Sequence, residues 1–160
     1  MAVAFTREED LESRAADLPD RPVSARPNLV TASGLAAIEA AYAAAKEAYA
    51  AARGGGSEIA TDKLAMARAT RDLRYWSARR GSAQLTEPAA QADVVQFGRT
   101  VELEREDGRR QTFRIVGEDE ADPARGSISY ISPLARALLG KQVGDVVAAA
   151  GGEAEVLAVR

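Results

Sequence analysis

The 160-residue chain has no cysteine and no histidine. The first absence excludes disulfides and thiol nucleophiles. The two together remove the usual zinc ligands and histidine acid–base chemistry. Aromatic residues make up 5% of the chain, and alanine and valine supply much of its 46% apolar content. A modest core spread over more than one unit is therefore expected. Long apolar runs are missing, and the first residues form no apolar signal segment, so the expected location is cytoplasmic, with no membrane span. An excess of one charge is lacking too. The net charge of −3 gives no global basic field of the kind that points to nucleic acid.

What is present falls into three stretches. Residues 1–30 hold ten charges together with Pro19, Pro22 and Pro27, and their apolar residues follow no period. They read as a flexible charged tail. Thr31 or Ser33 can cap a helix whose apolar positions Leu35, Ile38, Tyr42, Ala45, Tyr49 and Ala52 recur at spacings of three and four. Gly54-Gly55-Gly56 stops it. A second seam then runs through Ile59, Asp62, Met66, Ala69, Leu73, Trp76, Arg80 and Ala83. A loop this short leaves the two helices no choice but to pack antiparallel. The hairpin is assigned to 31–87 with its tip at 53–58, each helix about 33 Å long at 1.5 Å per residue.

From residue 88 onward the period changes to two. Val101 and Leu103 alternate with charges, Glu106-Asp107-Gly108-Arg109 makes a turn, and Phe113 and Ile115 return. Ile128 and Tyr130 suggest a third strand, and Val143–Val147 and Glu155–Val159 two more. Ser132-Pro133 caps and opens a short helix that Gly140 ends. The fold class is α+β: an N-terminal antiparallel helical hairpin, or coiled coil, followed by an antiparallel sheet with one short helix.

The text from Val95 to the end resembles the C-terminal domain of the GreA/GreB transcript-cleavage factors. It runs Val95-Gln96-Phe97-Gly98, then Phe113-Arg114-Ile115-Val116-Gly117, Asp119-Glu120-Ala121-Asp122-Pro123 and Gly126-Ser127-Ile128-Ser129. It closes with Ser132 to Lys141 and Val143-Gly144-Asp145-Val146-Val147. In front, Asn28-Leu29-Val30-Thr31 with Gly34 and Leu35 is similar to the segment that opens the Gre coiled coil.

The resemblance implies an FKBP-like C-terminal domain over 88–160 that docks on RNA polymerase, and a coiled coil that enters the polymerase secondary channel. It implies a transcription elongation factor, not an enzyme itself but at most an accessory to cleavage by the polymerase. No cofactor of its own is expected. Two acids at the tip would help hold magnesium in the polymerase active centre, because magnesium prefers hard oxygen ligands.

The tip departs from the family pattern. Where the family carries Asp-Leu-Ser-Glu-Asn-Ala-Glu-Tyr or a close relative, this chain reads Gly54-Gly55-Gly56-Ser57-Glu58-Ile59-Ala60-Thr61-Asp62. Glu58 and Asp62 stand four apart and share one helix face. They are candidates for the magnesium-directed acids, or equally two acids favouring a helix N-terminus. The finger is also about a heptad shorter per helix, roughly 10 Å of reach. Both departures resemble the short-fingered relatives that bind polymerase without stimulating cleavage, the regulator of nucleoside diphosphate kinase among them.

Candidate partner-binding residues are Asp119, Glu120, Asp122, Pro123, Ser132, Pro133 and Arg136. Arg68, Arg71 and Arg74 form a basic strip on the second helix, either a solvated face with ordinary ion pairs or a track for nascent RNA or an acidic channel wall. Sequence-specific DNA reading is not expected, since no recognition helix appears. The chain is expected to be a monomer. A peptidyl-prolyl isomerase reading would need an aromatic-lined pocket, and only Phe97, Phe113 and Tyr130 offer rings in that half.

Overall fold

The computed structural model describes residues 18–54, 59–90 and 93–160, with the backbone alone over 59–62. They form two compact units. The first joins the described residues up to Arg26 with Ala36–Ser82, and the second joins Pro27–Leu35 with Ala83–Arg160.

The helical hairpin is made by α1 (Ala32–Gly54) and α2 (Ile59–Ser82), and the first unit contains it from Ala36 onward. Alanine fills much of α1, so intrinsic propensity agrees with the apolar period. On α1 the covered or half-covered positions include Ile38, Tyr42, Ala45, Tyr49 and Ala52, while Glu39, Lys46 and Glu47 are exposed. On α2 they include Met66, Ala69, Leu73 and Trp76. The seam then departs from expectation. Arg80 is exposed, where its guanidinium lies 4.8 Å from the Tyr42 ring centre and 3.9 Å from Glu39. Arg79 is the buried one, at 2% exposure. An arginine stem packs like an aliphatic side chain provided its charged head finds a partner, and Arg79 has one.

The expected tail is a tail only in part. Residues 1–17 lie outside the described residues. From Leu18 the chain has a fixed course: Asp20 and Arg21 pair with Arg74 and Asp72 of α2, and Pro27 to Val30 belong to the second unit. Charge alone suggested disorder, but specific partners on α2 offset the ordering entropy.

The second unit opens with a two-residue strand, β1 (Leu29–Val30), paired parallel with β2 (Gln84–Leu85). The residues that lead into the hairpin are thereby fastened to those that leave it. Gln84 N–H donates to Asn28 O at 2.8 Å and Thr86 N–H to Val30 O at 2.9 Å.

The main sheet comprises β3 (Thr100–Arg105), β4 (Arg110–Val116), β5 (Ser127–Ser129), β6 (Val146–Ala149) and β7 (Gly152–Val159), in the order β5-β4-β3-β7-β6. The sheet is mixed, not wholly antiparallel as expected, because β5 runs parallel to β4. The connection from Gly117 to Gly126 is too long for a tight hairpin, and it carries the chain back to start β5 in the same direction as β4. The β3–β4 turn is the expected one. Gly108 takes φ +82°, and the Asp107 carboxylate accepts from the Arg109 backbone N–H at 3.0 Å.

Alternation places Val101 and Leu103 inward at 0% exposure, joined by Ile115, Ile128, Val147, Ala154 and Val156. The short helix α3 (Pro133–Leu138) covers this layer with Ala135 and Leu138, both fully buried. Ser132 caps it, its Oγ accepting from Ala135 N–H at 3.3 Å. Leu134 and Leu139 pack against the same core. Val143 lies outside β6 and is 52% exposed.

Candidate functional site

The tip acids cannot be placed. Glu58 lies outside the described residues, and for Asp62 only the helical backbone is described. Among the described residues no group of three or more acids could hold a metal ion by itself.

The acidic loop after β4 is placed, and its central residue turns inward. Thr31 caps α1 by accepting from Gly34 N–H at 3.0 Å. The same hydroxyl donates to Glu120 Oε2 at 2.6 Å, and Ser33 Oγ donates to Glu120 Oε1 at 2.6 Å. Arg114 adds a cation 3.8 Å from Oε1. Both carboxylate oxygens are thus engaged, and the Glu120 side chain is only 18% exposed. Its charge also lies at the N-terminal end of a helix, the favourable end for an anion. Gly34 makes room for it: a Cβ there would stand 2.7 Å from Oε2. Gly117 permits a second close approach, since a Cβ on it would stand 2.3 Å from Leu29 O.

The remaining docking candidates divide. Asp122 precedes a 3-10 turn over Pro123–Arg125, donating its N–H to Ser127 Oγ at 2.9 Å, with its carboxylate 3.6 Å from Arg125. Proline here opens a helical turn. Asp119 is half-buried and partnered. Ser132 is spent on the α3 cap, while Pro123, Pro133 and Arg136 are exposed. A partner can reach these three without disturbing the fold, and the Asp122 side chain, 49% exposed, is open to one as well.

On α2, Arg68 is exposed. Arg71 lies 3.4 Å from Asp72 and Arg74 3.2 Å from Asp20. Two of the three arginines in the expected strip therefore already have carboxylates beside them. The sequence showed Asp72 on the same helix. Asp20 is distant along the chain and carried no local signal.

A cleft of about 390 Å³ in the second unit is lined by Thr31, Ala32, Thr86, Glu87, Pro88, Gly98 and Arg114. Its charged lining groups are the Glu87 carboxylate and the Arg114 guanidinium. Phe97 and Tyr130 meet edge to face at 5.8 Å, and the Tyr130 hydroxyl donates to Pro27 O. These rings serve the core and the anchoring of the incoming chain. No helix of the described residues is long and apolar enough to cross a membrane.

Residues 90–160 match the family described as "Transcription elongation factor, GreA/GreB, C-term". Among proteins of known name, the chain is 42% identical over 94 residues to transcription elongation factor GreA of Desulfovibrio desulfuricans, covering 58% of this chain and 57% of that one. It is 52% identical over 80 residues to GreA of Alkalilimnicola ehrlichii, covering 46% and 50%. It is 45% identical over 87 residues to GreB of Neisseria meningitidis serogroup B, covering 53% of each. The chain thus spans about half the length of these relatives. Among solved structures, GreA factor homolog 1 of Thermus thermophilus superposes with a TM-score of 0.40 at 24% identity, over 84% of this chain and 99% of that one. The sequence match concerns part of the chain: residues 90–160 form a domain similar to the C-terminal domain of the GreA and GreB factors.

Proposed function

We propose that this protein is a transcription elongation factor that binds RNA polymerase through its C-terminal unit and inserts the helical hairpin into the secondary channel. The observation that carries this reading is a GreA/GreB C-terminal domain over residues 90–160 on the same chain as a hairpin of 23- and 24-residue helices. Each helix is about 35 Å long at 1.5 Å per residue. Pro123, Pro133 and Arg136 are the exposed residues offered to polymerase, and Arg68 with its neighbours is the strip offered to nascent RNA or an acidic wall. The chain acts as a monomer in the cytoplasm, and any hydrolysis is done by the polymerase.

The tip favours a second reading, in which the hairpin occludes the channel without helping cleavage. Three glycines stand where the family motif would begin. A finger one heptad shorter per helix withdraws its tip by roughly 10 Å, and a magnesium–oxygen bond is about 2 Å.

A backtracked elongation complex incubated with magnesium and the protein separates the two. Shortened transcripts that disappear in a Glu58→Ala/Asp62→Ala variant support assistance with cleavage. Slowed elongation without short products supports occlusion. Failure to co-elute with polymerase at low ionic strength ends both.

A further inference from the structure

Residues 18–26 have no part in the function proposed above, yet they are built into the first unit. The Arg21 guanidinium lies 3.9 Å from the Tyr75 ring centre and 5.4 Å from that of Trp76. Its Nη1 is 3.5 Å from Asp72 Oδ1. The two rings meet edge to face at 4.9 Å, so a carboxylate and two aromatics from one turn of α2 make a seat for a single flat cation. Beside it, Asp20 accepts from Arg74 Nη1 at 3.2 Å. Arginine suits such a seat because its planar group stacks and donates at once, which lysine cannot do. Pro19 and Pro22 flank the two contact residues, and proline reduces the freedom a segment must lose on docking.

We propose that residues 18–26 are an intramolecular strap seated by Arg21 on the Asp72–Tyr75–Trp76 face of α2. Seated, the strap covers this face and places Asp20 on Arg74 of the basic strip. It therefore competes with the surface that receives the hairpin, and the hairpin engages fully only when the strap is off. The strap itself stands on the contacts above, whereas its competitor role rests on the polymerase reading. A binding-competent state that is only partly populated lowers apparent affinity to the intrinsic value multiplied by its populated fraction.

Trp76 is the only tryptophan in the chain, so its emission reports the seat directly. In the full-length Arg21→Ala variant, Trp76 is expected to shift to the red and to be quenched more steeply by acrylamide. Arg21→Lys, which keeps the charge without the flat stacking group, should fall between wild type and alanine. Capture of purified RNA polymerase core at low salt should strengthen by roughly two- to fivefold in Arg21→Ala, the factor a surface cation–π contact is worth. Unchanged emission and quenching in Arg21→Ala overturn the strap, and lysine indistinguishable from arginine overturns the aromatic seat. Altered quenching with equal or weaker capture overturns the competition. Capture of neither protein overturns the polymerase reading and the competition with it, while the strap is still decided by the quenching.

Discussion

In the C-terminal unit a cluster of eleven buried residues fills the space between the sheet and α3, with Val101, Leu103, Ile115, Ala135, Leu138 and Val156 at 0% exposure. In the hairpin the buried positions among the described residues of its unit are Ile38, Ala45, Ala69 and Arg79, and two of those are alanines. One unit rests on large side chains interdigitating across layers, the other on a thin seam of small ones. Large residues at fixed places constrain sequence strongly, because a core packed to native density feels the change of a single methylene. A seam of alanines constrains it weakly, since many sequences satisfy an a/d pattern. The family model accordingly matches residues 90–160, while the hairpin is read chiefly from its period.

The two units should therefore fail in opposite directions. Leu103→Ala empties a fully buried site and is expected to destabilise the sheet unit by about 2–5 kcal/mol, the range for large-to-small core changes. Ala69, at 6% exposure, has little to lose but little room to gain. Ala69→Leu is expected to cost about 1–3 kcal/mol by overpacking. Urea unfolding followed by far-UV circular dichroism and by Trp76 emission measures both, since the single tryptophan reports the hairpin. Tolerance of Ala69→Leu together with a large loss for Ala69→Gly would invert the comparison.

The next effect concerns the segment that leads from one region to the other. Glu120→Ala removes a carboxylate that accepts from Thr31 and Ser33 and lies 3.8 Å from Arg114. It leaves two hydroxyl donors and a cation without their acceptor. A loss of about 2 kcal/mol is expected, in the range for hydrogen bonds to a charged group. Glu120→Gln should recover part of it, because an amide oxygen still accepts one of the two bonds. If Glu120 instead belongs to a partner surface, as its sequence neighbourhood suggested, the alanine variant keeps its stability and loses polymerase capture.

Residue 120 shows where sequence reading stops. The local text, Asp119-Glu120-Ala121-Asp122-Pro123, reads as a solvated acidic loop. What turns Glu120 inward is a helix N-terminus 89 positions earlier in the chain, and no local pattern records so distant a pairing. The clue available was Gly34, a helix-weakening residue in the first turn of a helix otherwise rich in alanine. Its purpose appears once a Cβ is placed against Glu120 Oε2. The parallel β4–β5 pair escaped for a similar reason, since alternation identifies a strand but not its direction. The seam positions of α1, the β3–β4 turn and the Ser132 cap of α3 were legible because each is decided by residues within one or two turns of itself. The Arg21 seat was hidden by composition, as a charged proline-containing stretch resembles disorder until its partners on α2 are known.

The smallest expected effect lies in the β3–β4 turn and tests whether the sheet unit depends on anything outside its core. Arg109 donates its backbone N–H and its guanidinium to the Asp107 carboxylate, which holds that group below its ordinary value of 3.8. A carboxyl whose pKa is depressed on folding adds stability that is complete above the unfolded value. That stability is lost as the pH falls through the lower, folded value. The turn should therefore weaken only in acid, below about pH 4. Asp107 is fully exposed, so solvent screens the pair and the change should be slight. Asp107→Asn should flatten that part of the stability profile and leave neutral pH nearly unchanged. A large loss at neutral pH would mean that the turn helps set the register of β3 against β4, and that the unit's strength does not reside in its core alone.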